Sequence, residues 1–326
     1  MAPFQGITTP VFRKVFIKHF AGVDKMFTPF FTNVYKESVS KKKMAELSAP
    51  TLGGVPVVPQ ILSKDPDEIL RFARFVHALG FDEVNWNLGC PFPRVANKKR
   101  GSGLLSFPVL IKEILEKTLP ELPVRLSIKA RLGYDSKKDI LALIPLLNDL
   151  GIQELTVHAR IGRQLYQGEA DQKAFATIVP LAKMKLGYNG DLFTLNDFYS
   201  FSRSFPSVSL IMIGRGLLVD PFLPAAIKKL PVPDLQEQKE KIKAFIYELF
   251  LTYLHSYPHH ENVVLNLMKE YWWYLAHSFE EPHKVFKLIK KRKVSEDFES
   301  GMLEVFERFQ WVGQQADFFR NQRISG

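Results

Sequence analysis

The chain has 326 residues, 46% apolar and 24% charged, so it is long enough for two domains or a large barrel with an appendage, and wholesale disorder is excluded. One cysteine, Cys90, excludes an internal disulfide or a cysteine-rich metal site in one chain, and no apolar run approaches the ~18–20 residues of a membrane span. The net charge of +10 arises entirely in residues 1–235, since residues 236–326 carry 13 basic and 13 acidic side chains, and it favours polyanionic partners.

In chain order, MAPFQGITTPVFRK lacks the basic and apolar regions of a secretory leader, so a reducing cytoplasm is the expected setting. Apolar β-type runs then begin near Met26, Val55, Glu83, Val124, Glu154, Lys185 and Ser209. Helical patterns lie between several of them, the clearest over Asp65 to Gly80. Asp65 suits an N-cap, Pro66 the first helical position, Glu68 a capping-box spacing and Gly80 a C-cap. Ile69, Phe72, Ala73, Val76 and Leu79 form its apolar stripe. Strands alternating with helices predict a parallel α/β sheet with crossovers.

An internal echo, LGFDEV at Leu79 and LGIQEL at Leu150, puts Asn87 and His158 at equivalent strand ends. In an eight-stranded α/β barrel those ends form the active face. Seven strands are visible, so the eighth is expected from Met1 to Phe4. After Leu230 the linker PVPDLQEQ leads into helical patterns around 242–254 and 264–275, then 282–292 and 301–312. The expected architecture is a (β/α)8 TIM barrel over residues 1–235 followed by a small helical bundle over 236–326.

The segment Asn87-Leu88-Gly89-Cys90-Pro91-Phe92-Pro93 runs on through Arg94 to Lys98-Lys99-Arg100-Gly101-Ser102-Gly103. It follows a strand and is poor core material. It suits a basic lid that carries a thiol able to act as nucleophile or general acid.

NLGCP with its basic loop and GSGLL resembles the signature of the tRNA-dihydrouridine synthases, flavin enzymes that reduce uridine in tRNA. APFQGITTPVFR (Ala2–Arg13), LSIKARLGYD (Leu126–Asp135), VHARIGRQLYQGEAD (Val157–Asp171), YNGD (Tyr188–Asp191), MIGRGLLVDPFL (Met212–Leu223) and MKEYWWYL (Met268–Leu275) resemble further segments of that family in the same order. The lid departs mildly, with Ser102 and Gly103 where Gly and Ala are often found.

The resemblance implies FMN as cofactor, NADPH as reductant and tRNA as partner, with no protein partner inferred. It implies Cys90 as the acid that protonates uracil C5, with Asn87, Arg131 and Tyr166 on the substrate. Pro3, Phe4 and Gln5 would pack along the flavin, with Gln60 at the isoalloxazine edge and His158 on the flavin or its ribityl chain. Asn189, Gly190 and Asp191 with Gly214 and Arg215 end the last two strands, where backbone N–H groups and a guanidinium suit a phosphate. Lys129 lies on a strand inside the barrel, where a buried ammonium needs an anionic partner such as reduced flavin.

Arg160 and Arg163 share the Tyr166 segment, and Lys287–Lys293 is a basic run suited to tRNA phosphates or to a solvated face. Trp272 and Trp273 are expected to pack the helices. His259-His260 lacks a metal-binding spacing, so no metal site is expected. Two other functions stay open at this level. One is an FMN barrel reductase of a free small molecule, dihydroorotate dehydrogenase-like; the other is a non-catalytic RNA-binding barrel.

Overall fold

A computed structural model describes residues 1–34 and 41–313. Its strands are β1 (Met26–Phe27), β2 (Thr51–Leu52), β3 (Val55–Val58), β4 (Gln60–Ile61), β5 (Glu83–Leu88), β6 (Arg125–Gly133), β7 (Glu154–Ile161), β8 (Lys185–Asn189) and β9 (Leu210–Met212). Strands β4 to β9 form one parallel sheet in sequence order. Strand β1 pairs parallel with β3, and β2 adds an antiparallel hairpin. Pro59, which has no N–H, separates β3 from β4, but its carbonyl accepts from Asn85 N–H at 2.9 Å and keeps the wall continuous.

The seam closes at the start of the chain. Ala2 N–H donates to Ile213 O at 2.8 Å, and Phe27 N–H donates to Met1 O at 3.4 Å. The eighth strand expected over Met1–Phe4 is therefore reduced to two residues. Pro3 has no N–H, and Phe4 N–H is diverted to Thr8 Oγ1 at 2.8 Å.

Strand side chains divide by parity. On β6, Leu126, Ile128, Ala130 and Leu132 join the core beneath the outer helices, while Ser127, Lys129 and Arg131 take the opposite face. The lumen is polar where many barrels stack branched aliphatics. Lys25 bridges Glu83 and Glu154 at 3.0 and 3.2 Å. Ser127 Oγ donates to Glu83, Asn85 to Ser127, Gln60 to Asn85 and Asn87 to Gln60, at 2.6–2.9 Å. Each buried polar group in this series thus has a partner, which offsets its loss of water.

Helix Pro66–Ala78 is capped by Asp65, which accepts from Asp67 N–H, and Gly80 follows it at φ 88°. Glu68 does not complete a capping box. Its carboxylate accepts from Val34 N–H at 2.9 Å and Ser63 Oγ at 2.5 Å, because it is buried against the neighbouring loop.

Helices Leu235–Ser256, Glu261–Leu275, Pro282–Lys290 and Ser295–Arg308 follow the barrel. The last starts earlier than the expected 301–312. Glu296 and Asp297 occupy its first turn, where they complement the helix dipole. These helices share one hydrophobic core with helix Pro10–His19. Phe12, Phe16 and Phe20 pack on Phe245 at 4.9–6.2 Å between ring centres. Trp272 is buried against Phe279 and Phe306, and Trp273 packs on His277 and Phe286.

Candidate active site

Two adjoining cavities open over the C-terminal strand ends and share Pro3, Phe4, Lys129, His158 and Tyr166. The larger, about 950 Å³, holds Gln5, Gln60, Asn87, Cys90 and Arg131. The smaller, about 490 Å³, holds Asn189, Gly190, Asp191, Gly214 and Arg215. Every site residue proposed from sequence lines one of the two cavities.

The NLGCP turn is locked from both sides. Asn87 Oδ1 accepts from Gly89 N–H and Cys90 N–H, each at 2.9 Å. Ser102 N–H and Oγ both donate to Cys90 O, at 3.0 and 2.9 Å. Gly101 has φ 55°, and a Cβ there would lie 2.7 Å from Cys90 O; one on Gly103 would lie 2.2 Å from Ala96 O. The GSG sequence thus lets the lid fold back onto the cysteine. Burial pushes the Cys90 thiol pKa up, against weaker opposing effects of Phe92 N–H, Arg131, Arg94 and Lys129. A thiol in that state keeps its proton at neutral pH and suits a general acid better than a nucleophile.

Asn87 therefore has less to offer a substrate than its place in the motif suggests. Its oxygen is taken by the turn, and Nδ2 donates to Gln60 Oε1 at 2.6 Å. One amide hydrogen remains. Gln60 is similarly engaged by Asn87 and Asn85. Arg131 also has structural ties, donating from Nε to Gly89 O at 3.1 Å and from Nη1 to Ile161 O at 2.9 Å.

Lys129 faces both cavities and has no hydrogen bond or ion pair among the described residues. Burial, with Arg131 adding to it, pulls its pKa down to about 7. His158 is held neutral by burial and by Arg131, Lys129, Arg160 and Arg215 around it. Arg160 Nη1 lies 3.2 Å from His158 Nε2. A guanidinium only donates, so the imidazole proton is on Nδ1 and is available as a donor.

The Asp191 carboxylate is engaged by two arginines and a main-chain N–H. Oδ1 accepts from Arg215 Nη2 at 2.7 Å. Oδ2 accepts from Arg160 Nη2 at 2.5 Å and Ala170 N–H at 2.8 Å. A carboxylate so occupied repels a second anion and serves to hold the two arginines. Arg160 lies on β7 itself, buried beside His158. Arg163 is exposed and pairs with Asp135. Tyr166 remains in the cleft, 4.7 Å from the Arg215 guanidinium.

These features fit an anionic, phosphate-bearing cofactor. Arg215 Nη1 is buried without a hydrogen-bond partner among the described residues, beside the smaller cavity. A Cβ on Gly190 would meet Ala170 and Tyr188 below 3.0 Å, and one on Gly214 would meet Phe4 at 2.9 Å, so both backbones are closely hemmed in.

Sequence reasoning missed Glu270 and Tyr274, which reach the larger cavity from helix Glu261–Leu275. Their i, i+4 spacing within MKEYWWYL was the available signal. It also missed Phe30 and Phe92 on the cavity wall.

A parallel α/β barrel with C-terminal helices carries a thiol and a cationic double cavity over its strand ends, the face where barrel enzymes place their active sites. The chain matches the Dihydrouridine synthase (Dus) family over residues 1–308 and belongs to that family. It is 29% identical over 295 residues to tRNA-dihydrouridine synthase B of Pasteurella multocida, covering 88% of this chain and 86% of the relative. It is 30% identical over 265 residues to tRNA-dihydrouridine(16) synthase of Neisseria meningitidis serogroup A, covering 77% and 79%. N-acetylneuraminate lyase of Mycoplasma synoviae superposes with a TM-score of 0.44 at 13% identity over 94% of this chain and 91% of that one.

Proposed function

We propose that this chain is an FMN-dependent tRNA-dihydrouridine synthase that uses NADPH and reduces the C5–C6 bond of uridine in tRNA. The carrying observation is the placement of the Cys90 thiol in a cavity that shares Lys129, His158 and Tyr166 with the cationic one. Arg215, Gly190 and Gly214 would hold the phosphate, Lys129 and His158 the polar edge and chain of the flavin, and Pro3 and Phe4 its face. FMN, when bound, supplies the hydride that reaches uracil C6.

The protein's part is positional and acid–base. The uridine must leave its stack, at a cost of a few kcal/mol. Cys90 then delivers its proton to C5, and the remaining Asn87 amide hydrogen meets the base. Arg131 fixes the Cys90 turn and carries charge toward the RNA. Lys284, Lys287 and Lys291 line a groove between the last two helices, where they offer charge to tRNA phosphates. Among the described residues no helix is long and apolar enough to cross a membrane, and a tRNA substrate fits a cytoplasmic enzyme.

The test is mass mapping of dihydrouridine in tRNA from cells with and without the gene, together with the flavin released by heating the purified protein. Loss of dihydrouridine at defined positions and release of FMN support the reading. Release of FAD, or unchanged dihydrouridine, overturns it.

A further inference from the structure

Phe92 presents a large apolar surface to water beside the reactive thiol. Its side chain is 49% exposed, yet it lines the same cavity as Cys90 and Arg131. Only Pro91 separates it from Cys90 in the chain, and both residues line the same cavity wall. The Arg94 guanidinium lies 5.8 Å from the ring centre. Isolated exposed aromatic residues are common. This one sits on a lid that also carries Lys98, Lys99 and Arg100, at the mouth of a cavity that has to admit a base. An aromatic face among cations is the composition of a platform for unstacked nucleotides.

We propose that the Phe92 ring stacks on a base flanking the extruded uridine while Arg94 contacts the adjoining phosphate. The contact replaces stacking that the RNA loses when the uridine leaves, and it rests on the reading that uridine in tRNA is the substrate. Every base has a π-face, so Phe92 contributes to affinity and extrusion without choosing the position modified.

The experiment measures binding of an unmodified tRNA transcript to the full-length, flavin-loaded protein and its Phe92→Ala, Phe92→Leu and Phe92→Tyr variants. Flavin content and thermal midpoint report folding. Ala and Leu are expected to weaken binding by about 5- to 150-fold, the ~1–3 kcal/mol of one base–aromatic stack at ~1.4 kcal/mol per tenfold. Tyr, which keeps the ring, is expected to bind like wild type.

A transcript with abasic sites on both sides of the target uridine should abolish the difference between wild type and Phe92→Ala. Wild-type affinity in the Ala or Leu variant overturns the proposal, as does a difference that survives the abasic sites. Wild-type protein that neither binds the transcript nor forms dihydrouridine overturns the substrate reading as well. Binding and turnover that do not depend on residue 92 overturn only the stacking.

Discussion

Replacing Asp191 with asparagine removes a negative charge from between two arginines that have almost no water. The side chains of Arg160 and Arg215 are 1% and 7% exposed, and each donates to Asp191 at 2.5–2.7 Å. Breaking a buried ion pair costs about 3–5 kcal/mol, because the surviving charge stays buried. Asparagine retains one oxygen acceptor, so the lower end, about 3 kcal/mol, applies. At about 2 °C per kcal/mol for a large domain, the thermal midpoint should fall by about 6 °C.

The pH dependence has a definite sign. Burial opposes ionisation of Asp191, but Arg160 and Arg215 outweigh it and hold the pKa below the usual carboxylate range. The stabilisation is therefore present above the unfolded pKa of about 3.9 and is lost as pH falls through the lower folded value. The gap between wild type and Asp191→Asn should stay constant between about pH 5 and 8 and close only below about pH 4. Circular-dichroism melts of the two proteins across that range provide the assay. An unchanged midpoint at pH 7, or a gap that widens on acidification, refutes the reasoning.

Cys90→Ala should still accept electrons from NADPH, while reoxidation of its flavin by tRNA slows by about 10²–10⁴-fold in stopped flow, the range for loss of a positioned acid; equal reoxidation rates would remove Cys90 from the chemistry. Lys129→Met should lower the reduction potential of the bound flavin, because the ammonium beside it favours the reduced, anionic state; an unchanged potential in spectroelectrochemistry would place Lys129 away from the ring. Replacing Lys287 and Lys291 with glutamine should reduce the slope of log K against log salt for tRNA binding by about 1.5–2. An unaltered slope would assign those lysines to solvent.

The barrel was legible because its strands are short apolar runs separated by helical periods. All seven expected strand starts fall at or within one residue of β1 and β3 to β9, with β3 and β4 together forming one stave. The eighth stave was poorly legible because two residues pair without forming a regular strand. Local signals also misled where tertiary partners won. Glu68 has capping-box spacing but is drawn to Val34 and Ser63.

The candidate site residues were found through motifs, and the structure brings them to one cleft. Their tasks were less readable, because a task depends on which hydrogen bonds are already taken. Asp191, Asn87 and Gln60 are the clear cases. The Asp191–Arg160–His158 connection joins separate segments of chain, and no local pattern announces it.

The aromatic pack on helix Pro10–His19 also has a consequence in time. Its partner Phe245 leaves the ribosome 225 residues after Phe20. At about 5–20 residues per second, the stripe of Phe12, Phe16 and Phe20 waits roughly 10–45 s for its cover. During synthesis the first helix thus keeps part of its aromatic surface uncovered until the C-terminal helices emerge. A chain cut within the polar linker after Leu230 never receives that cover. The linker looks like a convenient place to divide the protein, but translation beyond it supplies the outer wall of the barrel's first helix.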